Sequence, residues 1–212
     1  MITDERFVTY IHSLEKPNSE ILTEIEQAAQ KDLVPIIRKE MESFLRVILT
    51  IKHPKEILEL GTAIGYSAIL MSECCDAKIT TIENYEKRIP IARENFEKAG
   101  KSEQIELLEG DAMEVMKTLP KEKYDFIFMD AAKAQYINYL PEVMRLLIPG
   151  GVLITDNVLQ DGDLIQSKFV VRRRDRTIHK RMREFLETVK HDERLETSIV
   201  PIGDGIVMAV KK

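Results

Sequence analysis

Several polar residues each close an apolar run, and their types suit chemistry. Asp130 follows Phe126-Ile127-Phe128-Met129, and Asp156-Asn157 follow Val152-Leu153-Ile154-Thr155. Two carboxylates and an amide offer oxygen donors, a set that suits a hard divalent ion such as Mg²⁺, or Mn²⁺, with water or substrate oxygens completing the shell. No His or Cys stands beside them, so zinc fits less well. Lys133 lies three residues beyond Asp130. A cation next to its amine disfavours the ammonium form, which makes Lys133 a candidate general base.

A second group surrounds the stretch Ile57-Leu58-Glu59-Leu60-Gly61-Thr62-Ala63-Ile64-Gly65-Tyr66. It reads as a buried strand, a tight turn and the opening of a helix. The glycines permit unusual backbone angles and close approach of a ligand, and the helix opening offers free N–H groups. The spacing is Gly-x-x-x-Gly rather than the pattern of pyrophosphate binders. Glu83 ends the next strand, about 20 residues on, where an acid can accept both hydrogen bonds of a ribose diol. Asp111 follows Gly110 at the end of a third strand, placed to border an adenine, to cap the following helix, or both.

The elements that must position these residues alternate. Strands are expected at 56–61, 78–83, 104–109, 124–130 and 151–156, with helices at 65–75, 86–99, 112–118 and 135–147 between them. Strands apolar throughout are covered on both faces. Alternation of this kind gives a doubly wound, mainly parallel sheet that binds ligands at the carboxyl ends of its strands. Asp130 and Asp156-Asn157 then converge on one rim. Helices at 4–14, 19–33 and 38–51 precede the first strand, as a lid over a ligand or as a subunit interface, with Ser19 a cap. A helix at 177–190 and a hairpin split by Gly203-Asp204-Gly205 close the chain and turn the last strand antiparallel.

At 212 residues the chain suits a single domain, 1–212. No apolar run reaches membrane-span length, and the N-terminus lacks the pattern of a signal peptide. Two adjacent cysteines, Cys74 and Cys75, favour a reduced, cytoplasmic setting over a disulfide framework. The net charge of −5 argues against a protein coated with nucleic acid, yet Lys168–Arg183 holds eight Lys and Arg against the lone acid Asp175. Without that segment 23 basic and 35 acidic residues remain, a net charge of −12. An acidic body with one basic patch points to a local anionic partner, or to a solvated helix face.

Taken together, Glu59-Leu60-Gly61-Thr62-Ala63-Ile64-Gly65-Tyr66-Ser67, Glu83, Gly110-Asp111-Ala112, Asp130-Ala131-Ala132-Lys133 and Asp156-Asn157-Val158-Leu159 resemble the metal- and S-adenosylmethionine-dependent O-methyltransferases of the catechol and caffeoyl-CoA type. The resemblance spans most of the chain. It implies a Rossmann-like class I methyltransferase fold: an α/β structure with a seven-stranded, mainly parallel sheet, an antiparallel last strand and extra N-terminal helices. It implies that Glu59, Gly61 and Ser67 hold the methionine part of S-adenosylmethionine under Ile37, that Glu83 holds the ribose, and that Asp111 and Ala112 flank the adenine. It further implies Mg²⁺ on Asp130, Asp156 and Asn157, with Asp130 also near the cofactor. Lys133 then takes the proton of the substrate hydroxyl. A non-catalytic, cofactor-binding regulator would not need both the metal set and the base.

Two stretches depart from the small-molecule members. Ala131 and Ala132 stand where catechol enzymes have bulky residues, and the loop beyond Asn157 is basic, with Arg172, Arg173, Arg174, Arg176 and Lys180. That loop resembles the bacterial branch that methylates wobble 5-hydroxyuridine in tRNA. The resemblance implies a tRNA anticodon loop as partner, its arginines neutralising phosphates. The alternatives are a small phenol, a CoA-linked phenol or another small anionic substrate. A homodimer is expected from the extra helices.

Overall fold

The computed structural model describes residues 3–212. Three helices come first: α1 (Glu5–Ser13), α2 (Glu20–Lys31) and α3 (Lys39–Lys52). The alternating body follows as β1 (Glu56–Leu60), α4 (Tyr66–Cys74), β2 (Lys78–Glu83), α5 (Ile89–Lys98), β3 (Ile105–Glu109), α6 (Ala112–Thr118), β4 (Tyr124–Met129), α7 (Tyr136–Leu146) and β5 (Leu147–Thr155). The chain ends with α8 (Arg176–His191), β6 (Leu195–Val200) and β7 (Ile206–Lys211). The sheet order is β3-β2-β1-β4-β5-β7-β6. Six strands run one way, and β7 runs antiparallel to both β5 and β6.

Side-chain alternation along the strands builds two cores. Ile57, Phe126, Phe128 and Ile154 face one side, where they meet Leu22, Leu45, Leu49, Ile69, Leu70 and Phe96 from α2 to α5. Leu58, Leu60, Ile127, Met129 and Leu153 face the other, against Met116, Tyr136, Val143, Met182 and Phe185 from α6 to α8. Both faces are covered at the centre of the sheet, which is why β4 is apolar almost throughout. The extra helices α2 and α3 therefore join one face of the core. Among the described residues no helix is long and apolar enough to cross a membrane.

The boundaries expected from sequence hold to within a few residues, with two instructive differences. β5 starts at Leu147 rather than near 151, running through Pro149-Gly150-Gly151 with a register shift opposite Tyr124/Phe126. A bulge absorbs the Pro-Gly-Gly that reads as a turn. The region after Asn157 is not plain loop: short 3₁₀ turns occupy Gln160–Ile165 and Arg173–Asp175.

Candidate active site

A cleft of about 520 Å³ opens at the carboxyl ends of β1, β2, β4 and β5. Gly61 turns the chain out of β1 with φ of +100°, and a Cβ there would fall 2.1 Å from the Asp130 carbonyl oxygen. Only glycine lets the β1 turn pack against the end of β4. Asp130 N donates to Leu60 O at 3.0 Å, and Asp156 N to Met129 O at 3.0 Å. Neighbouring strands thus fix both acids at one rim, as their positions at strand ends require.

Of the residues singled out from sequence, Ile37, Gly61, Ser67, Glu83, Ala112, Asp130, Lys133, Asp156 and Asn157 line this cleft. Glu83 is held by three backbone donors: Ala63 N on Oε2 at 2.7 Å, and Asn84 N and Tyr85 N on Oε1, each at 2.9 Å. Two expected residues sit elsewhere. Glu59 is fully buried beneath the cleft, and its carboxylate accepts from the hydroxyls of Ser67 and Thr81. It bears on the lining through Ser67. Asp111 is exposed and caps α6, accepting from Met113 N and Glu114 N, while Gly110 and Ala112 form the wall.

Burial pushes Glu59 up to about 7, despite the Ser67 and Thr81 hydrogen bonds and with Asp130 and Glu83 adding repulsion. Burial likewise raises Asp130, opposed by Lys133. Asp156 is pushed up to about 7, first by burial and then by Asp130, with the Asn157 N–H and Lys133 acting against the shift. Among the described residues no three His, Cys, Asp or Glu side chains gather around a metal position. The set here is two carboxylates and one amide, and it fits a hard divalent cation. A buried acid and a half-buried one that raise each other's proton affinity are groups a cation would relieve.

Asn157 takes a left-handed backbone, φ +59°, and its Nδ2 donates to Asp204 Oδ2 at 3.4 Å. With Nδ2 engaged, Oδ1 is the amide atom that could serve a cation. Asp204 in turn pairs with Arg38 through Oδ1 at 2.8 Å, and Arg38 also reaches Asp161 at 3.3 Å. Arg38 and Asp204 line the cleft. Neither was picked out from sequence: Arg38 reads there as the start of a helix, and Asp204 as a hairpin turn residue. The signal available was an acid between two glycines, which turn chemistry alone explains.

The segment Pro35–Arg38 reaches the cleft because its flanking helices are tied down. Glu42 accepts from Tyr66 Oη and Asn18 Nδ2, each at 2.8 Å, and Lys39 pairs with Glu26 at 2.7 Å and Glu42 at 3.0 Å. Tyr66 belongs to the cleft wall, so this network couples α2 and α3 to the site.

Beyond Asn157 the chain forms a strap. Val158 N and Leu159 N donate to Gly205 O and Asp204 O at 2.9 and 2.8 Å. A Cβ on Gly205 would lie 2.3 Å from Leu159 Cγ, so the hairpin needs glycine to receive the strap. Arg172, Arg173, Arg174 and Lys180 are exposed. Arg176 has a structural task, with Nε donating to Val171 O at 3.2 Å and an Nη donating to Phe169 O at 3.4 Å.

The O-methyltransferase family model matches residues 11–212. Caffeoyl-CoA O-methyltransferase 5 of Nicotiana tabacum is 34% identical over 182 residues, covering 78% of this chain and 72% of the relative. Catechol O-methyltransferase of Niastella koreensis is 34% identical over 127 residues, 58% of each chain. Among solved structures, the O-methyltransferase of Bacillus cereus in complex with SAH matches with a TM-score of 0.85 at 28% identity, covering 96% of both chains. With an acid-lined cleft at the strand ends and a family match across nearly the whole chain, this protein belongs to the O-methyltransferase family, among the relatives of the caffeoyl-CoA and catechol enzymes.

Proposed function

We propose that the protein transfers a methyl group from S-adenosylmethionine to a hydroxyl that has a second oxygen beside it, with a divalent cation on Asp130, Asp156 and Asn157. The acceptor we favour is 5-hydroxyuridine at the wobble position of tRNA, whose 5-hydroxyl and O4 resemble the oxygens of a catechol. One observation carries this choice. The segment that leaves the cleft at Asn157 goes on to expose Arg172, Arg173 and Arg174 to solvent, in a chain that is otherwise acidic. Adjacent exposed positive charge, offset only at Arg174 by Asp175 at 3.6 Å, on the segment that leaves the cleft suits a phosphate backbone.

When bound, S-adenosylmethionine supplies an electrophilic methyl group and the cation acts as a Lewis acid on the acceptor. The chain's own residues position and deprotonate. Glu83, fixed by its three N–H donors, accepts from the ribose hydroxyls. Ile37 closes over the cofactor and excludes water. Lys133 would take the proton of the acceptor hydroxyl, and bound S-adenosylmethionine would supply the methyl group that replaces it and leave as S-adenosylhomocysteine. Much of the rate would come from positioning of the acceptor, a task that residues at strand ends suit.

Relatives named for caffeoyl-CoA and catechol support a second acceptor class, a phenol with adjacent oxygens, free or linked to CoA. Methyl transfer from labelled S-adenosylmethionine separates the two. The expected result is transfer to tRNA carrying 5-hydroxyuridine with KM well below that for catechol. Replacing Arg172, Arg173 and Arg174 together by Ala should reduce the salt slope of tRNA binding by about 2. Efficient transfer to catechol with none to tRNA would overturn the tRNA acceptor and leave the O-methyltransferase chemistry in place.

A further inference from the structure

The strap carries an apolar surface that the chemistry of the cleft does not use. Ile165, Phe169 and Val170 are 81%, 75% and 72% exposed, on one short stretch. Their exposure is imposed by the framework around them. Leu164 and Val171, at either end, are buried. α8 holds the backbone between them: His179 Nε2 lies 3.1 Å from Gln166 O, and Arg176 donates to Val171 O and Phe169 O. Arg183 adds a contact to Leu164 O at 3.4 Å. A braced loop that holds an aromatic ring in water forgoes burial it could otherwise gain, which marks the ring as a contact surface.

Positive charge adjoins this surface at Lys168 and on its C-terminal side in the chain. Lys168 Nζ lies over the Phe169 ring, 5.2 Å from its centroid, and Arg172, Arg173 and Arg174 follow within one turn of chain. An aromatic ring bordered by cations is the arrangement that single-stranded nucleic acid meets best, with bases on the ring and phosphates on the cations. We propose that Phe169, flanked by Ile165 and Val170, is a stacking platform for a base neighbouring the methylated one, and that Arg172 to Arg174 hold the adjoining phosphates. The platform presupposes an RNA acceptor. It adds to that acceptor a means of opening the loop, because a base stacked on Phe169 is removed from the stack beside the target.

Stacking and ion pairing answer differently to salt, and that difference provides the test. Binding of a fluorescent anticodon stem-loop RNA would be measured by anisotropy across a range of salt concentrations. Phe169→Ala is expected to weaken binding roughly tenfold with an unchanged salt slope, and Phe169→Tyr to restore it. Arg173→Ala is expected to lower the slope by about 0.7. Phe169 is exposed, so its replacement should leave the melting temperature in place, and melting curves would verify that. Wild-type affinity in Phe169→Ala, or a loss that Phe169→Tyr does not restore, overturns the platform. Tight binding of anionic phospholipid vesicles in place of RNA, or concentration-dependent self-association lost in Phe169→Ala, overturns it in favour of a membrane or a second copy. Wild-type protein that binds the stem-loop but shows no transfer to 5-hydroxyuridine tRNA overturns the RNA acceptor itself, a different outcome from failure of the Phe169 variants.

Discussion

Lys133 opens the short 3₁₀ turn after β4 and offsets the charge of both Asp130 and Asp156. Lys133→Ala is predicted to lower turnover by about 10²- to 10⁴-fold, the usual worth of a positioned general base, while affinity for S-adenosylhomocysteine holds. Unchanged turnover would remove Lys133 from the proton's path. Glu59 gives a prediction of another kind. Its carboxyl lies well above the ordinary 4.5, at about 7, so the folded state binds a proton that the unfolded chain releases. The associated stability is fully present below pH 4.5 and is lost as pH rises through about 7. In metal-free protein, urea unfolding should show wild type losing on the order of 3 kcal/mol relative to Glu59→Gln across that window. Parallel pH profiles would contradict it. At this scale the sequence was informative where a polar residue ends an apolar run, as at Asp130 and Asp156. It could not tell whether an acid lines a cleft or underlies it, because Glu59 sits inside the run and its partners Ser67 and Thr81 lie on other elements.

The hairpin between β6 and β7 does more than close the sheet. Asp204 holds the side chain of Asn157 and the guanidinium of Arg38, while its backbone receives Leu159. Three elements distant in sequence meet at this one turn. A side chain that holds the amide of Asn157 also fixes which of its atoms could meet a cation. Asp204→Ala should therefore weaken Mg²⁺ or Mn²⁺ binding by about 10- to 100-fold in calorimetry, with the fold retained; equal affinity would leave Asp204 a turn residue only. The strands, helices and hairpin were legible from hydrophobic period and turn residues, since those signals are local. The role of Asp204 was not, because it depends on β7 lying beside β5, and nothing within Gly203-Asp204-Gly205 encodes that neighbour. The 3₁₀ turns of the strap were also hidden. Asp161 and Gly162 both take positive φ there, +53° and +93°, and the turns depend on packing against α8.

Across the whole molecule, sheet topology and charge distribution act together. The order β3-β2-β1-β4-β5-β7-β6 brings β4 and β5 side by side, and so brings Asp130, Asp156 and Asn157 to one rim beside the turn of β1. The same connection sends the basic strap out from that rim, while the remainder of the chain stays acidic. If the acceptor is the proposed polyanion, a net acidic body with its basic residues concentrated on the strap would steer it toward that segment. The most direct measurement is the rate of methyl transfer from labelled S-adenosylmethionine to 5-hydroxyuridine tRNA and to catechol, in Mg²⁺, in a chelator, and after Mg²⁺ is restored. Transfer that stops in the chelator and returns with Mg²⁺ is the predicted result, with tRNA the better acceptor. Transfer to either acceptor at the same rate in the chelator would contradict a cation held by Asp130, Asp156 and Asn157.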